Sequence, residues 1–342
     1  MVVPALHRLF PRKMNALFGG LLGGIALLVV ACQSTTDAPT VATAPAPAPT
    51  GLTGVPAASG TATSGPLSPV LINGLSNPNN LPGQALISFP QAAAPSPGGT
   101  KPTINARCAI LVDGQGRVLF EKDADLRVPT ASTQKLLLGL MVAEKGDLSG
   151  SITIVASDSD AEPTVMGLKS GQAFTRDELL RAVLIRSCND IARALARDLA
   201  GSESGYAAAA NVRARQLGMT NSYFTNSNGL PSPSGQYSTA RDMAILCAHT
   251  LRHPLLREIV SSKGMLFRFP DGTSKTITNT NLVLRNFPYC TGAKTGFTNA
   301  AGRCLVSSAS ANGRNVIAVI LGSKSPDVWI ESEALLRYGL GM

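Results

Sequence analysis

The chain has 342 residues, 44% of them hydrophobic and 15% charged, with a formal net charge of +9. That length and apolar share support one large core or two ordinary ones. The basic residues are spread along the chain without a dense Lys/Arg run, and aromatic residues are only 5%. Nucleic acid is therefore excluded as the expected partner, while ligands bearing carboxylates remain compatible.

In chain order, residues 1–32 read as an export signal. Arg8, Arg12 and Lys13 precede the apolar run "ALFGGLLGGIALLVVA", and Cys32 follows the small residue Ala31. A membrane helix needs ~20 apolar residues, and this run is shorter, so a cleaved signal is expected. "LVVAC" resembles the lipobox of bacterial lipoproteins, which implies lipidation at Cys32; a plain secretory signal with an incidental cysteine is the alternative. Residues 33–100 are rich in Ala, Pro, Thr, Ser and Gly, with Asp37 the only charge before Lys101. Such a composition buries too little apolar surface to offset its ordering entropy, so a disordered tether is expected there.

The folded domain is expected over 101–342. "ARCAILVD" and "RVLFE" around "GQG" predict a hairpin. "VPTASTQKLLLGLM" predicts a helix with Ser132 and Lys135 at its head. Residues 175–217 and 239–260 carry apolar residues at helical spacing. "GMLFRFPDGTSKTITN" predicts a hairpin around Asp271-Gly272. The stretch from Cys290 to Gly322 predicts three strands, the last two joined at Asn312-Gly313, a strong two-residue turn signal. "DVWIESEALLRYG" predicts a closing helix. Strands, a helical middle and further strands give an α+β fold: an antiparallel sheet flanked by helices, with a helical subdomain inserted between the first hairpin and the last strands.

Six cysteines less Cys32 leave five, an odd number, so at least one thiol stays free in a monomer. There is no CxxC, no HExxH and no GxSxG, and beyond His7 the only histidines are His249 and His253. No metal or organic cofactor is expected.

Ser132 alone has an ordinary reading, because Ser and Thr oxygens satisfy orphan N–H groups at helix starts. Two further motifs follow it in order: "RSCND", holding Ser187-x-Asn189, and "KTGFT", holding Lys294-Thr295-Gly296 on an expected strand. This ordered set resembles the penicillin-recognising serine hydrolases, with their S-x-x-K, S-x-N and K-T-G motifs. The segments "LGMTNSYFTNSNGLPSPSGQYSTARDMAIL" and "KTGFTNAAGRCLVSSA" narrow the likeness to the low-molecular-mass D-alanyl-D-alanine carboxypeptidases, from about Asn105 to Gly339.

The resemblance implies a beta-lactamase/transpeptidase-like fold and a serine carboxypeptidase trimming the pentapeptide stems of peptidoglycan. An endopeptidase cutting cross-links is the alternative, and a class A-type beta-lactamase a more distant one. Beta-lactam antibiotics would be covalent inhibitors. Ser132 would be the nucleophile and Lys135 its base. Ser187 would relay a proton, and Asn189 would orient Lys135 and the substrate. The backbone N–H groups of Ser132 and Phe297 would form the oxyanion hole, and Lys294, Thr295, Gly296 and Thr298 would line the substrate strand.

Three departures from the family pattern stand out. Cys188 fills the middle of S-x-N, as a space-filling residue or as a redox switch. Val328 or Trp329 occupies the place where the family often has an arginine on the closing helix. The chain stops shortly after Tyr338, where many such enzymes continue into a small beta domain and a membrane-binding tail, so N-terminal lipid is expected to replace that anchor. Arg303 is the candidate replacement for the missing arginine. A hairpin centred near Asn299 would set it opposite Thr295 on one sheet face; a solvated strand arginine is the ordinary alternative.

The anchoring expectation is testable by fractionation. Cys32→Ala should release the chain from the membrane or block its processing, whereas wild-type chain extracted without detergent into the soluble fraction would contradict a lipid anchor.

Overall fold

The computed structural model describes residues 100–342. The expected signal, Cys32 and all of the expected tether but Thr100 lie outside the described residues. The elements run β1 (Cys108–Asp113), β2 (Val118–Lys122), a 3-10 turn (Ala131–Gln134), α1 (Lys135–Lys145), β3 (Ser151–Thr153), α2 (Ala156–Ser159) and β4 (Ala173–Thr175). There follow α3 (Arg176–Arg186), α4 (Asn189–Ala200), α5 (Glu203–Gln216), α6 (Ala240–Arg252), α7 (Pro254–Ser261), β5 (Gly264–Arg268) and β6 (Ser274–Thr278). The last elements are α8 (Leu282–Asn286), β7 (Cys290–Thr298), β8 (Gly302–Ala311), β9 (Arg314–Ser323) and α9 (Asp327–Leu340).

β2, β1, β9, β8 and β7 form, in that order, one antiparallel sheet with β7 at its edge. The first hairpin thus joins the last strands, and the helical region is inserted between them, as the α+β pattern implies. "CAILVD" is a continuous apolar run because β1 is covered on both faces. Cys108, Ile110 and Val112 join a core shared with α1, α3, α4 and α6, while Ala109 and Leu111 join a second core beneath α8 and α9. β9 alternates in the same way, with Val319 and Leu321 toward the first core and Ala318 and Ile320 toward the second.

Local signals explain the turns and caps. Asn312 and Gly313 both take positive φ, 53° and 71°, which the tight β8–β9 connection requires. α3 begins with Thr175, whose hydroxyl accepts from the Glu178 amide while the Glu178 carboxylate accepts from Thr175 N–H, a capping box. The small β3–β4 sheet, α2 and α8 were not expected: each is five residues or fewer, too short for periodicity to show.

Two features of the helical region bear on the site. Ser187 closes α3 in the left-handed conformation, φ 71°, uncommon for a residue with a β-carbon. Three residues on, the buried carboxylate of Asp190 accepts the backbone N–H groups of Met166, Gly167 and Leu168 at 2.9–3.3 Å. That contact ties the start of α4 to the preceding loop, which also accepts Asn189 N–H at Thr164 O, 2.6 Å.

Candidate active site

The expected helix start at Ser132 is a 3-10 turn that hands over to α1 at Lys135. Side chains at i and i+3 eclipse in that geometry, so Lys135 Nζ comes to 2.7 Å from Ser132 Oγ. The same nitrogen lies 2.8 Å from Asn189 Oδ1 and 2.7 Å from the Asn228 carbonyl oxygen. Lys135 is fully buried. A charged ammonium would donate to all three oxygens. A neutral amine would donate to Asn189 and Asn228 and turn its lone pair to the Ser132 hydroxyl. The second arrangement has the geometry of a base taking the serine's proton.

Electrostatics favour that neutral form. Burial and then the nearby Lys294 charge hold Lys135 well below the ordinary lysine value, against smaller opposing influences from Cys188, Glu203 and Asp190. Lys294, on the edge strand β7, is itself buried and is pushed down to about 7 by desolvation. Its ammonium donates to Thr295 O at 3.1 Å.

Backbone packing places β7 against Ser132. A β-carbon at Gly296 would lie 2.9 Å from Ser132 N and from Thr130 O, so only glycine lets the strand approach the turn this closely. Gly229 grips the turn too. Its φ is +85°, and a β-carbon there would lie 2.2 Å from Ala131 O. These glycine contacts bring β7, with Lys294, and loop 225–230 against the turn that carries Ser132; Lys135, Ser187, Asn189 and Lys294 are buried and Ser132 is partly buried.

The far end of the expected substrate strand differs from expectation. Thr295 opposes Leu305, and Arg303 opposes Phe297. The β7–β8 turn is thus centred one residue later than the expected Asn299, and the expected Thr295–Arg303 pairing is corrected by two residues. The turn is closed by Thr298 Oγ1 accepting Ala301 N–H at 3.1 Å, which fixes that register. An even shift preserves side-chain alternation, so Arg303 still shares a sheet face with Thr295. Its guanidinium lies 4.5 Å from the ring centroid of Phe297, which is 52% exposed. Thr295 Oγ1 lies 2.6 Å from Thr280 Oγ1. On the closing helix, Val328 is buried in the second core.

Cys188 is fully buried, and desolvation raises its thiol to about 12. Redox-sensing cysteines are exposed and of low pKa, so the space-filling reading fits Cys188. The five cysteines of the domain are free thiols.

Sequence reasoning assigned no role to the loop "TNSNGL", residues 225–230, although it supplies the Asn228 carbonyl to both Lys135 and Ser132; the latter contact is 3.0 Å. A backbone carbonyl leaves no side-chain signature. The signals present were Gly229, a residue suited to the positive φ found there, and the loop's place within a segment that carries the family likeness.

Residues 95–325 match the peptidase S11 family, described as D-alanyl-D-alanine carboxypeptidase. The chain is 32% identical over 259 residues to D-alanyl-D-alanine carboxypeptidase DacB2 of Mycobacterium tuberculosis, covering 74% of this chain and 87% of that one. It is 35% identical to DacC of Escherichia coli, another D-alanyl-D-alanine carboxypeptidase, over 70% of this chain and 62% of the relative's length. The Streptomyces K15 DD-transpeptidase crystal structure superposes with TM-score 0.67 at 28% identity, covering 71% of this chain and all of that one. The chain belongs to the D-alanyl-D-alanine carboxypeptidase family, and its fold is the beta-lactamase/transpeptidase fold. Within that family it is a serine-type D-Ala-D-Ala carboxypeptidase, a hydrolase.

The lysine arrangement predicts a pH dependence. If Lys135 takes the Ser132 proton, acylation of Ser132 by a penicillin should accelerate as pH rises through an ionisation well below the ordinary 10.5 of lysine, because the amine must be neutral to accept it. Lys294→Gln removes the like charge and should move that limb to higher pH. Stopped-flow acylation across pH checks this; a limb unmoved in the variant would separate Lys294 from the tuning of Lys135.

Proposed function

We propose that Ser132 is the nucleophile and Lys135 its general base in removing the terminal D-alanine from peptidoglycan pentapeptide stems. Ser132 Oγ attacks the carbonyl of the penultimate D-alanine and passes its proton to Lys135 Nζ. The backbone N–H groups of Ser132 and Phe297 receive the oxyanion; aimed donors of this kind are worth about 3 kcal/mol each. Ser187 relays the proton to the departing D-alanine amine. The Ser132 ester then reacts with water, which frees the enzyme and leaves a tetrapeptide stem. Asn189 orients Lys135, and Lys294, Thr295, Gly296 and Thr298 line the strand along which the stem lies. The observation that carries this reading is the 2.7 Å contact between a fully buried lysine nitrogen and the serine hydroxyl.

Beta-lactams would acylate Ser132 and stay attached. A class A-type deacylating carboxylate has one candidate in this region, Glu203, and both of its oxygens already accept from Ser227, at 2.6 Å from the hydroxyl and 2.9 Å from the amide. Slow release therefore fits better than antibiotic turnover.

Cleavage of cross-links is the second reading, since one site can serve either bond. A D-alanyl-D-alanine endopeptidase of Pseudomonas aeruginosa is 33% identical over 60% of this chain and 67% of its own length. For localisation, export and a lipid on Cys32 are proposed from the signal-like residues 1–32.

Digestion of purified sacculi tests the function. Free D-alanine released by wild type and absent with Ser132→Ala is the expected result; loss of dimeric muropeptides without free D-alanine would favour the endopeptidase instead.

Arg303 is proposed to bind the substrate's terminal carboxylate, a pairing that suits its planar donors. Arg303→Ala should lower kcat/KM about tenfold or more for a stem ending in a free acid and leave an amidated analogue unaffected. Equal discrimination of acid from amide by both proteins would remove Arg303 from that role.

A further inference from the structure

Among the described residues, the Asn228 carbonyl is the one backbone group hydrogen-bonded to both reacting side chains, 2.7 Å from Lys135 Nζ and 3.0 Å from Ser132 Oγ. Its position matters because displacement of a reacting group's support by about 1 Å can cost a hundredfold in rate. Much of its loop is tied to itself. Asn226 Oδ1 accepts Gly229 N–H at 2.8 Å, and Asn226 Nδ2 donates to Leu230 O and Ser232 O at 2.8 and 3.1 Å. Gln134 Nε2 donates to Asn226 O at 2.7 Å, which ties the loop to the turn it serves. The charged contact from outside comes from Glu203, in the first turn of α5. Its two oxygens take the hydroxyl and the amide of the fully buried Ser227, one residue before Asn228. A two-point, charge-assisted grip of this kind fixes orientation as well as distance.

We propose that Glu203 is a positioning residue for the nucleophile: by clamping Ser227 it holds the Asn228 carbonyl against Lys135 and Ser132. The inference rests on Ser132 and Lys135 being the reacting pair. Glu203 also acts through its charge. The charged and titratable groups facing Lys135 are Lys294 from β7, the Cys188 thiol between α3 and α4, Asp190 from α4 and Glu203 from α5. Lys294 favours the neutral amine, and the two carboxylates oppose it. Asp190 is occupied by the amides of Met166, Gly167 and Leu168. Glu203 is thus both the clamp on the loop and a brake on how readily Lys135 sheds its proton.

The two roles separate experimentally. Full-length wild type, Ser227→Ala and Glu203→Gln are acylated with a fluorescent penicillin across pH, with intact mass to locate the adduct and thermal melting to verify folding. Ser227→Ala keeps the charge and loses half the clamp, so its plateau rate should fall about tenfold with the pH limb unmoved. Glu203→Gln loses the charge and mismatches the clamp, so its plateau should fall similarly and its limb should move to lower pH. If folded forms of both variants match wild type in plateau and limb, Glu203 has no positioning role. If Glu203→Gln does not fold, the plateau of Ser227→Ala decides alone, and a wild-type rate there overturns the clamp. Wild type that forms no adduct at Ser132 would instead refute the reacting pair on which the inference rests.

Discussion

The site depends on a lysine nitrogen buried among neutral oxygens. Lys135 is out of contact with solvent, and the partners of its nitrogen are a hydroxyl, a side-chain amide oxygen and a backbone carbonyl. A full charge there carries the desolvation penalty without a carboxylate in contact to offset it. Lys294 adds repulsion from the adjacent strand. The favourable outcome is a neutral amine, whose lone pair has the Ser132 hydroxyl in reach. A lone pair available beside Ser132 would thus follow from the burial of Lys135.

Each part of the fold contributes one wall of that enclosure. The 3-10 turn and the head of α1 supply Ser132 and Lys135. The α3–α4 junction, with Ser187 in its left-handed conformation, turns the chain so that Asn189 faces Lys135. The edge strand β7 brings Lys294 and, at Gly296, lies backbone to backbone against the turn. Loop 225–230 closes the remaining side. An edge position for β7 leaves one row of its backbone groups unpaired, which suits a strand expected to receive an extended peptide. Replacing either glycine would push β7 or the loop away and admit water to the lysine.

Much of this was legible in the sequence because it is written in side chains. Ser132, Lys135, Ser187, Asn189 and Lys294 form an ordered pattern, and the strand–helix–strand succession located the inserted helices. What was not legible is written in backbone. The Asn228 carbonyl carries no residue code, and Ser187's positive φ has no compositional signal. The Thr295–Arg303 pairing failed because a hairpin's register follows from its turn: Thr298 bonding Ala301 moves the centre by one residue and the partner by two. Arg303 consequently lies over Phe297. The attachment of Glu203 to Ser227 was not legible either, because it depends on α5 and the loop meeting in space.

The protonation state of Lys135 decides whether its nitrogen can take the Ser132 proton. Isotope-labelled lysine Nζ and Cε resonances, assigned by comparison with Lys135→Ala and Lys294→Gln, report it directly during a pH titration. A Lys135 transition well below the ordinary 10.5 of lysine is expected, with the neutral amine populated before exposed lysines begin to titrate. A Lys135 that remains charged up to the range of exposed lysines would contradict it, because the nearest base to Ser132 would then have no lone pair with which to take the proton.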